Sequence, residues 1–145
     1  MPLKKKFTVG GLFAGVGGIE AGFEKAGFEI SWANEIDSYA CKTYRLNHPN
    51  HHLIEEDKHK LNPKKLKPVD VLTGGFPCQA FSVAGYRKGF KDPRGNLFFE
   101  IARFIDGLKA KPKALMLENV KNLSGHDNGR TQKIIKKILK DLGYF

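Results

Sequence analysis

Short apolar runs alternate with amphipathic stretches along most of the chain. The apolar runs have the length and composition of strands and lie at about 8–13, 29–34, 53–56, 69–73 and 114–117. Apolar residues recur at helical spacing in four stretches, at about 19–26, 38–47, 96–108 and 129–142. This alternation predicts an α/β fold, with a mostly parallel sheet and helices on both faces.

Turn and cap residues set the predicted ends of the first two helices. Gly27 should end the first helix, because glycine adopts the left-handed conformation that closes a helix. Ser38 is the predicted cap of the second helix, which runs through Tyr39, Thr43 and Leu46 before Pro49. The strand before residue 74 is followed by a loop predicted to reach Gly95, a length that is typical of functional loops.

Composition adds information about partners and location. The 145 residues suffice for one domain, 1–145, and carry a net charge of +10, which indicates a polyanionic partner. The lysines of the last helix are read as a solvated face. Two cysteines define no disulfide framework, and we recognise no signal peptide and no apolar run that could span a bilayer. We therefore expect a reduced, cytoplasmic protein.

A glycine-rich turn joins the first strand to the first helix. In the segment Phe13-Ala14-Gly15-Val16-Gly17-Gly18, glycines allow a tight turn and let a ligand approach the amides of the helix N-terminus. The segment departs from the dinucleotide-binding pattern, because Glu20 stands in the place of its third glycine. A purely structural turn is the alternative.

Two acidic residues follow the second and third strands. Glu35 lies about 20 residues after the glycines, where an acidic side chain can accept hydrogen bonds from the ribose of a nucleoside cofactor. Asp57 could accept a hydrogen bond from an adenine amino group. A surface glutamate and an exposed loop aspartate are the alternatives.

The two cysteines stand in different surroundings. Cys78 follows the most apolar strand, within Gly74-Gly75-Phe76-Pro77-Cys78-Gln79-Ala80-Phe81-Ser82. It should therefore lie at the carboxyl edge of the sheet, where open α/β folds bind ligands. Cys41 lies inside an amphipathic helix and is interpreted as buried and inert.

The motifs, taken together, resemble those of the DNA cytosine-5 methyltransferases. Gly75 to Gln79 is similar to the family's catalytic motif, and Phe13 to Gly18 to its cofactor loop. Asn34-Glu35-Ile36-Asp37 matches the family's ribose site, and Asp57 matches its adenine contact. Asp92 to Phe98 matches the segment after the catalytic loop, and Glu118-Asn119-Val120 matches the motif that holds the target base. These segments follow one another along the chain in the family's order. The resemblance implies a Rossmann-like S-adenosylmethionine-dependent methyltransferase sheet, incomplete at the C-terminus.

The resemblance also implies site residues. S-adenosylmethionine would be bound by the glycine loop, Glu35, Ile36, Asp57 and Pro77. Cys78 would be the nucleophile that attacks C6 of cytosine. Glu118 would assist at N3 if burial keeps its carboxyl protonated, and Asn119 would orient the loop and the glutamate.

The implied substrate is double-stranded DNA with a flipped cytosine. The predicted DNA contacts lie in or beside the long loop, at Gln79, Ser82, Arg87, Lys88 and Lys91. An ordinary solvated loop is the alternative for the basic residues. No metal site is predicted. Restriction-modification is the biological setting that the resemblance suggests, in a bacterial cytoplasm.

The chain also departs from the family pattern. Gly11 stands where the family commonly has an aspartate, so a polar contact near the cofactor loop should be missing. The family's later motifs, including the target-recognition region, are absent, and the chain stops where another strand is expected. We therefore expect a fragment of a longer enzyme or one subunit of a split enzyme. The chain alone should be poorly stable or self-associating.

Several alternatives remain at this point. A tRNA cytosine-5 methyltransferase has closely similar motifs, and a truncated, non-catalytic cofactor-binding or DNA-binding fragment would retain them. A nicotinamide-dependent oxidoreductase is a more distant alternative. Methylation of adenine or of cytosine N4 is disfavoured, since that chemistry needs no cysteine.

Overall fold

A parallel sheet of five strands organises the protein. The structure is a computed structural model that describes residues 6–76 and 97–145. The strands are β1 (Thr8–Leu12), β2 (Glu29–Glu35), β3 (Leu53–Glu55), β4 (Val71–Gly75) and β5 (Ala114–Glu118). The α-helices are α1 (Gly18–Lys25), α2 (Ser38–Asn47), α3 (Leu97–Gly107) and α4 (Arg130–Asp141). Short 3-10 helices occupy Pro63–Lys65, Lys121–Ser124 and His126–Gly129.

The strand order explains where a ligand can bind. The order is β3-β2-β1-β4-β5, and every pair is parallel. The chain moves outward from β1 to β3, then returns to the other side of β1 with β4. Open α/β sheets bind ligands outside the carboxyl ends of the strands at such a reversal. The glycine turn after β1 and the end of β4 therefore flank the expected site.

Helices cover both faces of the sheet, as predicted. Gly11 pairs with Thr73, and a Cβ on Gly11 would lie 2.1 Å from Glu20 Oε1 of α1. The next residue of β4, Gly74, faces the other way, and a Cβ there would lie 3.1 Å from the Ile101 side chain of α3. Because successive strand residues point to opposite faces, α1 and α3 lie on opposite sides.

The main core lies on the α3 face. Helix α3 is buried along most of its length, because apolar residues cover one face of the helix and extend onto both neighbouring sides. Its buried side chains pack with Leu12, Trp32, Leu72 and Phe76 from the sheet and with Ile135 from α4. The predicted apolar face of the last helix is thus partly confirmed, while the lysines predicted to be solvated, Lys133, Lys136, Lys137 and Lys140, are exposed.

The cap of α2 differs from the prediction. Asp37, not Ser38, caps the helix, since its Oδ1 accepts a hydrogen bond of 2.7 Å from the Ala40 amide. Tyr39 and Leu46 are exposed by 77% and 82%, while the buried residues are Cys41 and Tyr44. The prediction that Cys41 is buried is confirmed, and burial raises the pKa of its thiol.

One ion cluster ties the beginning of the sheet together. The Asp70 carboxylate accepts a hydrogen bond from the Thr8 amide at 2.9 Å and lies 2.7 Å from the Lys113 ammonium. The Lys113 ammonium and the two Thr8 donors lower the pKa of Asp70 to about 2. The cluster links the residues that precede β4 and β5 to the start of β1.

We expect Asp70→Asn to destabilise the chain at neutral pH and to matter less in acid. A depressed pKa in the folded state contributes stability above the ordinary value of 3.8, and this contribution disappears as the pH falls through about 2. Urea unfolding of both proteins at pH 7 and near pH 2 measures the difference. Asp141→Asn, at an exposed pair with Lys137, is the control and should have a smaller effect. If Asp70→Asn lowered the free energy of unfolding by the same amount at both pH values, the proposed link between the Asp70 pKa and stability would be contradicted.

An apolar groove remains open on the α1 face. It has a volume of about 460 Å³ and is lined by residues of α1, by Phe28 and by Met116 of β5. Met116 is 46% exposed. No helix in residues 6–76 and 97–145 has both the length and the apolar character needed to cross a membrane.

Candidate functional site

The glycine turn is shaped by left-handed backbone conformations. Phe13, Gly15 and Gly17 have φ values of 57°, 57° and 90°. This conformation is uncommon for a bulky residue such as Phe13, and such strain concentrates at functional sites. The Ala14 amide donates to the Asn34 carbonyl at 2.9 Å, and the Gly17 amide donates to the Ala14 carbonyl at 2.9 Å. The first bond fastens the turn to β2, the second closes the turn, and the Ala21 amide of α1 donates to the Gly17 carbonyl at 2.9 Å.

The start of α1 leaves room for a ligand. Within the described residues, the N-cap residue Gly17 offers no side-chain acceptor to the first amides of the helix. A Cβ placed on Gly15 or Gly18 would meet nothing within 4 Å in the same part of the chain. Free amides at a helix N-terminus favour an anionic group.

The structure brings Glu35 and the glycine turn together. Glu35 Oε2 accepts a hydrogen bond of 2.8 Å from the Gly15 amide. Its other oxygen, Oε1, accepts from the amides of Ile36 and Asp37 at 2.7 Å and 2.9 Å. These bonds fix the carboxylate at the carboxyl end of β2. An ionised carboxylate has about four acceptor positions, so it can still accept a hydrogen bond from a ligand hydroxyl.

Ile36 and Asp57 lie near the ends of neighbouring strands. Ile36 is 62% exposed, so it offers an apolar surface beside Glu35. Asp57 follows β3, and its Oδ1 accepts a hydrogen bond of 2.9 Å from the His59 amide. This bond lowers the pKa of Asp57, which remains an ionised acceptor at neutral pH.

Glu118 and Asn119 follow β5 beside the end of β4. The Glu118 carbonyl accepts a hydrogen bond of 3.3 Å from the Phe76 amide, and the Asn119 Nδ2 donates to the Phe76 carbonyl. Asn119 Oδ1 accepts a hydrogen bond of 2.8 Å from the Val120 amide. Asn119 thus joins the end of β5 to the last described residue before Pro77.

The Glu118 carboxylate lies beside Gly75. A Cβ on Gly75 would be 3.3 Å from Glu118 Oε2, so a larger residue there would crowd the carboxylate. Glu118 is exposed, and the burial that its predicted role needs is therefore not supplied by residues 6–76 and 97–145. Another group, such as a bound base, would have to cover it.

Seven predicted site residues lie outside the described residues. They are Pro77, Cys78, Gln79, Ser82, Arg87, Lys88 and Lys91, and the segment from Asp92 to Asn96 lies there too. The described ends of this interval are Phe76 and Leu97. Phe76 is 5% exposed and belongs to the main core, so the chain leaves β4 from a fixed position.

Sequence reasoning assigned no role to two buried polar residues near the site. Asn34 is 2% exposed, and its Nδ2 donates to the carbonyls of Ile54 and Glu56 at 3.0 Å and 2.8 Å, which ties β2 to β3. Glu20 is 1% exposed, and its carboxyl group occupies the space beside Gly11. A carboxyl group from α1 therefore lies beside the position where the family commonly has an aspartate, and the expected loss of a polar contact there stays a prediction.

We expect Gly11→Asp to destabilise the chain because it would place a second carboxyl group against Glu20. Burial raises the pKa of Glu20, and in the described residues its Oε2 has no hydrogen-bond partner. The cost should be about 3 kcal/mol, as for other uncompensated buried charges. The double variant Gly11→Asp with Glu20→Ala should recover much of the loss. Urea unfolding of the wild type, the two single variants and the double variant tests this. If the stability loss of the double variant equalled the sum of the losses of the two single variants, the prediction would be contradicted.

The fold and the site together define an open α/β protein with a glycine turn and acidic side chains at the carboxyl edge of its sheet. The sequence model of the family described as C-5 cytosine-specific DNA methylase matches residues 7–145. The chain therefore belongs to the C-5 cytosine-specific DNA methylase family. Membership in a methylase family implies a methyl donor.

Curated relatives and solved structures agree with this family. Type II methyltransferase M.Eco47II of Escherichia coli is 52% identical over 139 residues, which are 95% of this chain and 33% of the relative. Type II methyltransferase M.Bsp6I of a Bacillus species is 52% identical over 138 residues, 94% of this chain and 43% of the relative. A Spodoptera frugiperda DNMT2 variant superposes with a TM-score of 0.70 at 27% identity, covering 94% of this chain and 41% of that structure. The chain spans about a third of the length of M.Eco47II.

Proposed function

We propose that the chain carries the cofactor site and the nucleophile of a methyltransferase that modifies C5 of cytosine in DNA. The observation on which this rests is the link from Asn119 to the Phe76 carbonyl, two residues before Cys78. This link fastens the chain that leads to the nucleophile beside Glu118. Relatives named type II methyltransferases support a role in restriction-modification.

The described residues fit S-adenosylmethionine. The uncapped start of α1 suits its carboxylate, and Glu35 suits its ribose hydroxyls. The exposed Ile36 side chain and the ionised Asp57 suit its adenine ring and amino group. When bound, S-adenosylmethionine supplies an electrophilic methyl group on a sulfonium.

Cys78 acts as the nucleophile in this proposal. Its thiolate forms a bond to C6 of a flipped cytosine, and the electron pair of the C5–C6 double bond makes C5 nucleophilic. C5 would then attack the methyl carbon as its bond to the sulfonium breaks and a neutral thioether leaves, and the C5 proton would go to a base. The C6–S bond breaks as the double bond re-forms, so Cys78 is released unchanged.

Glu118 lowers the barrier to the first step. A carboxyl group that donates a proton or a strong hydrogen bond to N3 stabilises the adduct that Cys78 forms. A flipped base would cover the Glu118 side chain and exclude water from its contact with N3. Asn119 is a positioning residue, since it fixes the backbone on both sides of the site.

The net charge of +10 supports a polyanionic substrate, and the type II relatives favour DNA over RNA. The predicted DNA contacts are those of the segment after Cys78, namely Gln79, Ser82, Arg87, Lys88 and Lys91. The remaining two thirds of M.Eco47II match no part of this chain, so we propose that target recognition comes from a further segment or a second chain.

The test of substrate class uses methyl-labelled S-adenosylmethionine with unmethylated DNA and, separately, with tRNA. The chain is assayed alone and together with the part of M.Eco47II that this chain does not match. The expected result is label in 5-methylcytosine of DNA, with much more product in the supplemented reaction. Label in tRNA alone, in N4-methylcytosine or in N6-methyladenine would overturn the proposal.

A further inference from the structure

The loop that carries Asp57 is held by a charged side chain of α3. Arg103 donates from Nη2 to the Lys58 carbonyl at 2.7 Å and from Nη1 to the Leu61 carbonyl at 3.3 Å. These two carbonyls stand at the two ends of the turn that follows Asp57. Sequence reasoning assigned no role to Arg103, because it lies 42 residues after Leu61 along the chain.

A buried carboxylate fixes the orientation of the Arg103 guanidinium group. Glu100 Oε2 accepts a hydrogen bond of 2.9 Å from Arg103 Nε and lies 2.9 Å from Nη2. The side chain of Glu100 is 9% exposed, and its Oε1 lies 3.5 Å from His59 Nδ1 of the loop. The guanidinium group also lies over the Phe104 ring, 4.7 Å from its centroid. A planar guanidinium held in this way presents its remaining N–H groups in fixed directions.

The same loop orients the Asp57 carboxylate. Asp57 Oδ1 accepts a hydrogen bond of 2.9 Å from the His59 amide, and the Asp57 carbonyl accepts one of 2.9 Å from the Lys60 amide. Both bonds lie within the turn that Arg103 holds at its two ends. Because a carboxylate has about four acceptor positions, Asp57 can still accept a hydrogen bond from a ligand.

A second contact keeps the segment after the loop against α3. A Cβ on Gly107 would lie 2.9 Å from the Pro63 ring, so the short 3-10 helix after the loop packs directly on the end of α3. Helix α3 is itself anchored in the main core. The Arg103 bonds therefore connect Asp57 to the core of the protein.

We propose that Arg103, oriented by Glu100, is a positioning residue that sets the preference of the cofactor site for adenine. This role rests on the proposed function, in which Asp57 accepts a hydrogen bond from the adenine amino group. A carboxylate in that position rejects a purine that has an oxygen there, since two acceptors would face each other. The preference requires a carboxylate that is held in one place. The Arg103 bonds hold it, and a loop released from α3 would let Asp57 turn away from either purine.

Arg103→Lys separates this role from a general contribution to folding. Lysine keeps the positive charge beside the buried Glu100 carboxylate, but it lacks the planar fork that reaches two carbonyls at once. Calorimetric titration measures the affinity for S-adenosylhomocysteine, the demethylated cofactor, and for S-inosylhomocysteine, in which an oxygen replaces the adenine amino group. The wild type should prefer the adenine compound. Arg103→Lys should bind the adenine compound about fivefold more weakly and the inosine compound almost as the wild type does.

Arg130→Lys is the matched control, since Arg130 belongs to α4 and has a side chain that is 68% exposed. It should keep the wild-type preference. The double variant Glu100→Met with Arg103→Met replaces the ion pair by apolar side chains, a change that folds often tolerate, and it should lose the preference as Arg103→Lys does. Asp57→Asn should also lose it, and adding Arg103→Lys to Asp57→Asn should then have no further effect on the preference.

The outcomes separate this inference from the proposed function. If the wild type prefers the adenine compound and Arg103→Lys weakens both compounds by the same factor, or keeps the wild-type preference, the role of Arg103 alone is overturned. A wild type that bound both compounds equally would overturn the contact of Asp57 with adenine, and this role with it. A wild type that bound neither would overturn the proposed cofactor site as a whole.

Discussion

Replacing Cys78 with serine should lower methyl transfer to cytosine by at least about a thousandfold. A serine hydroxyl is almost entirely protonated at neutral pH and is a poorer nucleophile than a thiolate, so the adduct at C6 would seldom form. The measurement is the incorporation of labelled methyl groups into DNA under single-turnover conditions. Binding of S-adenosylmethionine should change little, because the thiol is needed only for the chemical step.

The other cysteine provides the matched control. Cys41 is buried in α2, and its Sγ lies 3.8 Å from the Glu35 carbonyl. Cys41→Ala should cost roughly 1 kcal/mol of stability and retain most of the transfer per folded molecule. If Cys41→Ala and Cys78→Ser lost activity equally, or if Cys78→Ser stayed active, the assignment of the nucleophile would be wrong.

Glu35→Gln should weaken S-adenosylmethionine binding by roughly 10- to 100-fold, the equivalent of losing a hydrogen bond to a charged group. The two Glu35 oxygens accept bonds from amides on opposite sides, Gly15 on one and Ile36 and Asp37 on the other. Glutamine has one oxygen, so its NH₂ group would face an amide donor on one side. The glycine turn would lose its link to β2, and the ribose its charged acceptor.

Calorimetric titration with S-adenosylmethionine measures this loss. Glu29→Gln, at the exposed beginning of the same strand, is the control and should bind the cofactor as the wild type does. Binding by Glu35→Gln at the wild-type affinity would show that Glu35 only shapes the turn.

Much of the fold could be predicted from the sequence because strands and turns have strong local signals. Gly27 has a φ of 90° and ends the first helical segment as predicted. All five predicted strands are present, with ends that differ by at most two residues. The largest shift is in β4, which begins at Val71 because the Asp70 carboxylate and amide bond to Thr8.

The errors concern choices that depend on tertiary packing. The burial of Cys41 was predicted, whereas the burial of Tyr44 on the same face of α2 depends on packing and was not. Asp37 and Ser38 are both good caps, and only the backbone geometry decides between them. Glu20 could not be assigned from sequence, because its burial depends on the absent side chain of Gly11 across the α1–β1 contact.

The candidate site, like the fold, was predicted from the sequence only in part. The sequence placed Glu35 after the second strand, and the resemblance assigned Glu118 to the target base. In the structure Glu35 bonds to the glycine turn, and Glu118 lies beside Gly75 at the end of β4. The exposure of Glu118 was not foreseen, because it depends on which groups cover the carboxyl edge of the sheet. The roles of Cys78 and the residues after it stay predictions, since they lie outside the described ranges.

The most direct test of the central claim is to trap Cys78 on its substrate. The protein is incubated with S-adenosylmethionine and DNA that contains 5-fluorocytosine, in the presence of the part of M.Eco47II that this chain does not match. Fluorine cannot leave C5 as a cation, so the adduct should persist after methyl transfer. We expect a denaturant-stable protein–DNA complex whose linked peptide contains Cys78. A complex linked through another residue, or one formed equally by Cys78→Ser, would contradict the account.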